Sequence, residues 1–460
     1  MASNCCETPS SQANAKIENK DLPYQSIADR LNKECHCINV DAGMLRQQLD
    51  LVLEDSHIPG GLIEQRPHLF AKFGVFATRS QVDQMRDIIQ AVEQVVAMPA
   101  YQEAVVAYAP EIARHKPHTL GVLFGYDFHL SATGPHLVEI NTNAGGAMLN
   151  TVLAKAQLAC CDEVRHAMQG PVPIEQLEDA LFSMFTAEWM KSGKETPLQT
   201  IAIIDTAPQE QYLYPEFLLF QRLFSSRGIQ TTILDPQQIV LRDGALWHND
   251  IKIDMVYNRL TDFDFSHVEH QALRDAYLSD AAVVTPHPRA HALYADKRNL
   301  ILLTDESLLR SWGVAENIIR TLMQGIPRTV PVTAENAESL WSNRRQLFFK
   351  PAKGYGSRAV YRGDKVTKRV WSEILEGDYV AQTLVLPSER RLVMDHDSVD
   401  LKLDVRSYAY DGKTILLAAR MYQGQTTNFR TSGGGFAPIY TVPNLPNVYV
   451  DMLGTCGVNK

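Results

Sequence analysis

The segment Phe348-Phe-Lys-Pro-Ala-Lys-Gly-Tyr-Gly-Ser-Arg358 carries the densest chemistry in the chain. A lysine that closes an apolar strand and runs into a glycine-rich turn presents an ammonium beside backbone N–H groups that can approach phosphate oxygens closely. Lys350, Lys353, Gly354 and Gly356 are therefore candidate nucleotide contacts. The stretch is not a Walker loop, because the Gly-Lys-Ser/Thr ending and the helix after it are missing. Taken alone, a plain surface hairpin explains it as well.

Three further segments add polar groups in order. Asp378-Tyr-Val-Ala-Gln-Thr-Leu-Val385 is an apolar strand entering a short link, so Gln382, Thr383 and Leu384 can offer hydrogen bonds to a base edge, and Glu389 can accept from ribose hydroxyls. In Leu403-Asp-Val-Arg-Ser-Tyr408, alternation puts Asp404 and Arg406 on one strand face, which suits a metal–phosphate site or a simple pairing of the two. Thr427-Asn-Phe-Arg-Thr-Ser-Gly-Gly-Gly435 follows, with Asn428, Arg430, Gly433 and Gly434.

This order resembles the nucleotide half of an ATP-grasp ligase. That superfamily closes with a Mg²⁺-binding Glu-Ile-Asn or Glu-Val-Asn, which here stands far upstream as Glu139-Ile-Asn141, inside Val138-Glu-Ile-Asn-Thr-Asn143-Ala-Gly-Gly146. Such a displacement matches the circularly permuted order of eukaryotic-type glutathione synthetases. Leu120-Gly-Val-Leu-Phe-Gly-Tyr-Asp-Phe128 is similar to that family's Leu-Gly…Asp-Tyr stretch, Val256-Tyr-Asn-Arg259 to its Val-Tyr-x-Arg strand, and Ala295-Asp-Lys297-Arg298 to its Thr-Lys-Lys. The resemblance spans roughly residues 115 to 440. It implies an α/β (α+β ATP-grasp) fold, circularly permuted, with a parallel-sheet substrate domain and an antiparallel-sheet ATP-binding region.

The resemblance further implies an ADP-forming carboxylate–amine ligase that works through an acyl phosphate on an amino acid or small peptide, with ATP and Mg²⁺ as cofactors. Lys297 and Lys350 would hold phosphates; Glu139 and Asn141, with Asp404, would ligate Mg²⁺; Arg406, Arg430 and Asn428 would serve catalysis. Asp127, Asn143, Arg259, Gly433 and Gly434 would meet the substrates, and the loops at Gly354 to Ser357 and Gly433 to Gly435 would cover the site. Plainer roles stay open: a solvated strand end for Glu139 and Asn141, and a salt bridge for Arg259. The family's metal-binding Glu four residues after the strand lysine is Gly354 here, its late Arg-x-Lys is Thr426-Thr427-Asn428, and its early arginine is Gly125. These departures point away from glutathione synthesis itself. A small-molecule kinase and an inactive nucleotide-binding regulator are the alternatives, the last favoured by the missing glutamate.

The elements that must position these groups are legible as periodicity. Apolar residues from Val82 to Val96 recur at helical spacing behind Ser80 and Asp83, a capping pair, and a second helical pattern runs from Met148 to Cys160. Ile201–Asp205, Glu216–Arg227, Thr231–Leu234 and Ile253–Tyr257 read as strand, helix, strand, strand, a buried parallel sheet. Pro286 and Pro288 mark a boundary and break any helix that would align His287 with His291 as metal ligands. The last third alternates short strands with glycine-rich turns. These readings divide the chain into a flexible arm (1–25), an N-terminal part (26–197), a substrate domain (198–290), a nucleotide region (291–445) and a tail (446–460).

Composition bounds the rest. Of 460 residues, 45% are hydrophobic and 21% charged, enough apolar surface for large cores and unlike a disordered chain. The net charge of −9 argues against general nucleic-acid binding. Neither a signal peptide nor an apolar run of membrane-spanning length is visible, so a cytoplasmic protein is expected, without membrane or nucleic-acid partners. Seven cysteines without paired spacing read as reduced thiols. Its partners would be the small carboxylate and amine substrates, and the resemblance implies a homodimer.

Overall fold

The computed structural model describes residues 26–35, 40–53, 61–157, 170–354, 359–394 and 397–444. The expected arm, the tail from 446, Cys160–Cys161 and Gly356 lie outside the described residues.

A long hairpin forms the spine. β16 (Asp397–Tyr410) and β17 (Lys413–Tyr422) are joined by Asp411-Gly412, both at positive φ (50° and 69°), the geometry of the tight turns that match strand twist. This turn, together with a one-residue bulge at Ile415 opposite Tyr408 and Ala409, sets the register that places Asp404 opposite Arg420. The hairpin sits in a seven-stranded sheet ordered β1 (Val75–Thr78), β18 (Gly435–Val442), β17, β16, β2 (Phe124–Ser131) and β3 (Gly134–Asn141), with β15 (Ser388–Met394) also pairing β16. Only β1 and β18 run parallel among these pairs.

Alternation decides what each face does. Leu403, Val405, Ala419 and Met421 point into a core shared with the helix Arg79–Val96. The opposite face changes along its length: Tyr408, Leu416 and Ala418 pack with the helix Ala147–Gln157, whereas Asp404, Arg406 and Arg420 occupy the other end. The sheet is thus apolar where a helix covers it and charged where none does. The cap of the Arg79–Val96 helix is Thr78 with Gln81 rather than the expected Ser80 with Asp83, because Thr78 ends β1 in extended conformation and its hydroxyl accepts from Gln81 N.

A four-stranded antiparallel sheet, β11 (Thr329–Pro331), β14 (Tyr379–Thr383), β12 (Leu347–Pro351) and β13 (Tyr361–Arg362), packs Phe349, Ile374 and Ala381 into its own small core. The strands of the last third therefore divide between two sheets, and those from 388 to 442 pair with strands from the first third. The parallel sheet is ordered β10 (Val283–Thr285), β9 (Met255–Asn258), β4 (Thr200–Ile204) and β5 (Gln230–Leu234), with the helix Tyr214–Ser226 crossing from β4 to β5. An antiparallel ribbon, β6 (Val240–Arg242), β7 (Ala245–His248) and β8 (Ile251–Ile253), lies between β5 and β9 in the chain, with turns at Asp243-Gly244 and Asn249-Asp250. Strands this short leave no periodicity to read.

Pro288 starts a helix, Pro288–Tyr294, capped by His287, rather than breaking one, since proline's fixed φ suits the first helical turn. Among the described residues no helix is long and apolar enough to cross a membrane.

Candidate active site

The charged end of the large sheet faces the four-stranded sheet across a cleft. Its lining includes Asp127 and His129 of β2, Val138 and Glu139 of β3, Lys350 of β12, Gln382 of β14 with the link Leu384–Pro387, Asp404 and Arg420, Lys297, and Gln425–Thr427.

Two lysines contact β3 at adjacent residues. Lys297 Nζ lies 3.1 Å from Glu139 Oε1 and donates to Gly354 O at 2.9 Å. Lys350 Nζ donates to Val138 O at 2.9 Å and to Gln382 Oε1 at 2.8 Å. Val138 is the extra residue of a β-bulge in β3, opposite Asp127 and Phe128 of β2, which leaves its carbonyl to this bond. Burial, and secondarily Lys297, pull the Lys350 ammonium down to about 8 against the opposing pull of Glu139. Burial would raise Glu139, but Lys297 and Lys350 outweigh it and hold the carboxyl below its ordinary range.

Behind the lysines lies a buried network. Asp127 accepts from Arg406 Nε and Nη2 at 2.6 and 2.7 Å, from Arg420 Nη2 at 2.8 Å and from Asn141 Nδ2 at 2.9 Å. Arg420 Nε also donates to Asp404 at 2.7 Å, and Thr427 Oγ1 donates to the other Asp404 oxygen. Burial opposes ionisation of Asp127, yet the two arginines keep it below its usual value.

These contacts revise several expected roles. Asp404 and Arg406 share a face but do not pair: each is bound across strands, to Arg420 and Asp127. Asp404 lines the cleft and accepts one hydrogen bond on each oxygen, while Glu139 and Asn141 each keep one oxygen without a partner among the described residues. Asp127 lines the cleft and is engaged by Arg406, Arg420 and Asn141. Gln382 spends its amide on Lys350 and on Thr329 Oγ1. Glu389 is exposed on β15 and does not line the cleft, because Arg390 takes the inward position of that strand and is fully buried.

Asn428 ties its own loop, donating to Gln423 O and Thr426 O, and Arg430 beside it is exposed; neither lines the cleft. Their loop instead presents Thr426 and Thr427, which stand at the position of the late Arg-x-Lys, and Gln425; Gln425 and Arg420 are cleft residues that sequence motifs did not single out. Arg259 and Asn143 lie elsewhere, beneath Gly145: Arg259 is drawn to Tyr257 and the buried Glu216, and Asn143 donates to Leu260 O. Arg259 Nε and Asn143 Oδ1 are buried without partners.

The glycine run is packing rather than cover. A Cβ on Gly434 would meet Met421 O at 2.5 Å, and one on Gly435 would meet His68 O at 2.6 Å. Gly434→Ala is therefore expected to lower stability by about 1–3 kcal/mol, read as a fall in thermal unfolding midpoint. An unchanged midpoint would contradict the close packing.

A second cavity adjoins the first at Gly354, which lines both. It is walled by Lys353, Asp296, Phe263, His291, Asp262 and Asp264, among others. Asp262, His267 and His270 bring ligand atoms within 4.8 Å of one another, but Asp262 already accepts from His270 Nδ1 at 2.6 Å and His267 N at 2.9 Å. His287 and His291 bond to Thr119 O and Thr142 Oγ1 and do not meet as a ligand pair.

Neither a protein-family model nor a curated protein sequence matches this chain. Its fold does match solved structures. A glutathione synthetase-like effector from Globodera pallida, in its apo form, aligns with a TM-score of 0.53 at 12% identity, covering 87% of this chain and 98% of that one. Partial likeness extends to the ATP-grasp ligase PsnB, complexed with minimal precursor, Mg and ADP (TM-score 0.28, 13% identity, 56% of this chain and 94% of that one), and to a D-cycloserine synthetase (0.24, 19%, 41% and 59%). The chain has an α/β fold with parallel and antiparallel sheets, of the kind seen in that glutathione synthetase-like effector.

Proposed function

We propose that the chain is an ADP-forming carboxylate–amine ligase using Mg²⁺-ATP. The observation that carries this reading is the convergence of Lys297, on the Glu139 carboxylate, and Lys350, on the carbonyl of the preceding Val138, in the cleft between the two sheets, with a second cavity that shares Gly354. Phosphoryl transfer needs concentrated positive charge and an oxygen-donor site for a hard cation, and an acyl phosphate needs a pocket next to the phosphates. The ligases among the structures of similar fold are consistent with this class.

In the proposed reaction a substrate carboxylate oxygen, held in the second cavity, attacks the γ-phosphorus, and the bond to the β–γ bridging oxygen breaks to release ADP. The amine then attacks the acyl carbon, loses a proton and expels phosphate, leaving an amide. Lys297 and Lys350 would hold the phosphate oxygens, and Glu139 and Asn141 would hold Mg²⁺, which supplies charge neutralisation on the phosphates. The Asp127–Arg406–Arg420–Asp404 network would keep β2, β16 and β17 in register beneath them.

The test is ADP release from Mg²⁺-ATP with pooled carboxylic acids, amino acids, small peptides and amines. Turnover that requires a carboxylate and an amine together supports the ligase. Turnover with a hydroxyl compound alone would make the protein a kinase, and ATP binding without cleavage would make it a regulator.

The buried lysine also sets a pH dependence. With the Lys350 pKa near 8, phosphate finds an ammonium below that value and a neutral amine above it. ATP affinity is expected to be full at pH 7 and to fall by up to about tenfold per unit above pH 8. Calorimetric titration checks this: Lys350→Arg, which stays charged, should flatten the profile, and an unchanged wild-type affinity up to pH 9.5 would contradict it.

A further inference from the structure

We infer that His129 reads the base of the bound nucleotide by accepting a hydrogen bond from the exocyclic 6-amino group of adenine; this rests on the nucleotide reading above. His129 stands two residues beyond Asp127 on β2 and lines the cleft where its wall turns apolar, among Leu384, Val385, Leu386 and Pro387. Its Nδ1 lies 2.8 Å from Val385 O. A carbonyl only accepts, so Nδ1 carries the hydrogen. Burial disfavours a second proton on the ring, so the imidazole is neutral and Nε2 holds a bare lone pair.

Nε2 has no partner among the described residues and is not one of the sealed, unpaired polar atoms of the interior. The ring is thus fixed by the link that follows β14, and its acceptor is left for a ligand. In the nucleotide reading the lysines and Arg420 would take the phosphates, and the apolar link Leu384–Pro387 that fixes His129 would take the base. An acceptor at the base end attracts a 6-amino group and repels a 6-oxo group. It therefore selects adenine over guanine or hypoxanthine.

The experiment compares dissociation constants of Mg²⁺-ATP, Mg²⁺-ITP and purine riboside triphosphate, which lacks the 6-amino group, for the wild type and His129→Phe. The wild type is expected to bind ATP at least about tenfold more tightly than the purine analogue, and ITP more weakly still. In His129→Phe the ATP preference should collapse to within about twofold while affinity for the purine analogue is kept, which also shows that the variant folds. His129→Leu, which has no acceptor, gives the same readout if the phenylalanine does not fold. Equal wild-type affinity for ATP and the analogue, or a preference that survives both variants, would overturn the assignment and leave the nucleotide site standing. A wild type that binds none of the three would overturn the nucleotide reading itself.

Discussion

Lys350→Met is expected to lower ADP-forming turnover by at least about a hundredfold, the loss seen when one pre-placed donor is removed from a site of developing charge. The lysine is buried, two of its three hydrogens are committed to Val138 O and Gln382 Oε1, and its remaining donor faces the cleft. An ammonium held this way reorganises little when phosphate arrives, so its removal costs most where charge is transferred. The same substitution should change stability little, because losing two hydrogen bonds is offset by relieving the desolvation that lowers the lysine's pKa. Steady-state kinetics and a melting curve on one preparation separate these effects. Near-wild-type turnover would remove Lys350 from the chemistry.

The second large effect is structural. Asp127→Ala is expected to destabilise the protein by about 3–5 kcal/mol, because it leaves Arg406 without its carboxylate and Arg420 with one in place of two, in a largely buried site at the floor of the cleft. The loss should be largest for this residue because a single carboxylate joins β2, β16 and β17. Asp127→Ala combined with Arg406→Met, which removes the stranded charge, should recover part of the loss. Thermal unfolding of the two proteins checks the order. A single variant as stable as the wild type would show that the network adds nothing to the fold.

The fold was legible in the sequence because its long elements obey simple periods. The Arg79–Val96 helix and the parallel strands β4, β5 and β9 lie close to where apolar spacing puts them, and the collinear motifs point to an ATP-grasp fold. Less was legible in the site. Arg420 sits in an apolar strand without a motif, and only the Asp411-Gly412 turn combined with the bulge at Ile415 sets it opposite Asp404. Asp404 and Arg406 looked like partners because alternation gives a face and not a neighbour; the neighbours came from β2 and β17. Gly433 to Gly435 looked like a mobile cover because a sequence does not distinguish a glycine that must bend from one that another backbone presses against. Glu389 shows the same limit: one step along β15 decides whether a side chain faces the core or the solvent, and Arg390 took the inner place.

The central claim is that a substrate carboxylate attacks ATP. It is tested most directly with a pool of acids and peptides labelled with ¹⁸O in their carboxylates, incubated with amines, Mg²⁺-ATP and the protein. The account predicts that the phosphate released carries one ¹⁸O per turnover, transferred from the acid, and that Lys350→Met releases none. Phosphate free of label despite ADP formation would contradict an acyl phosphate and with it the proposed ligase.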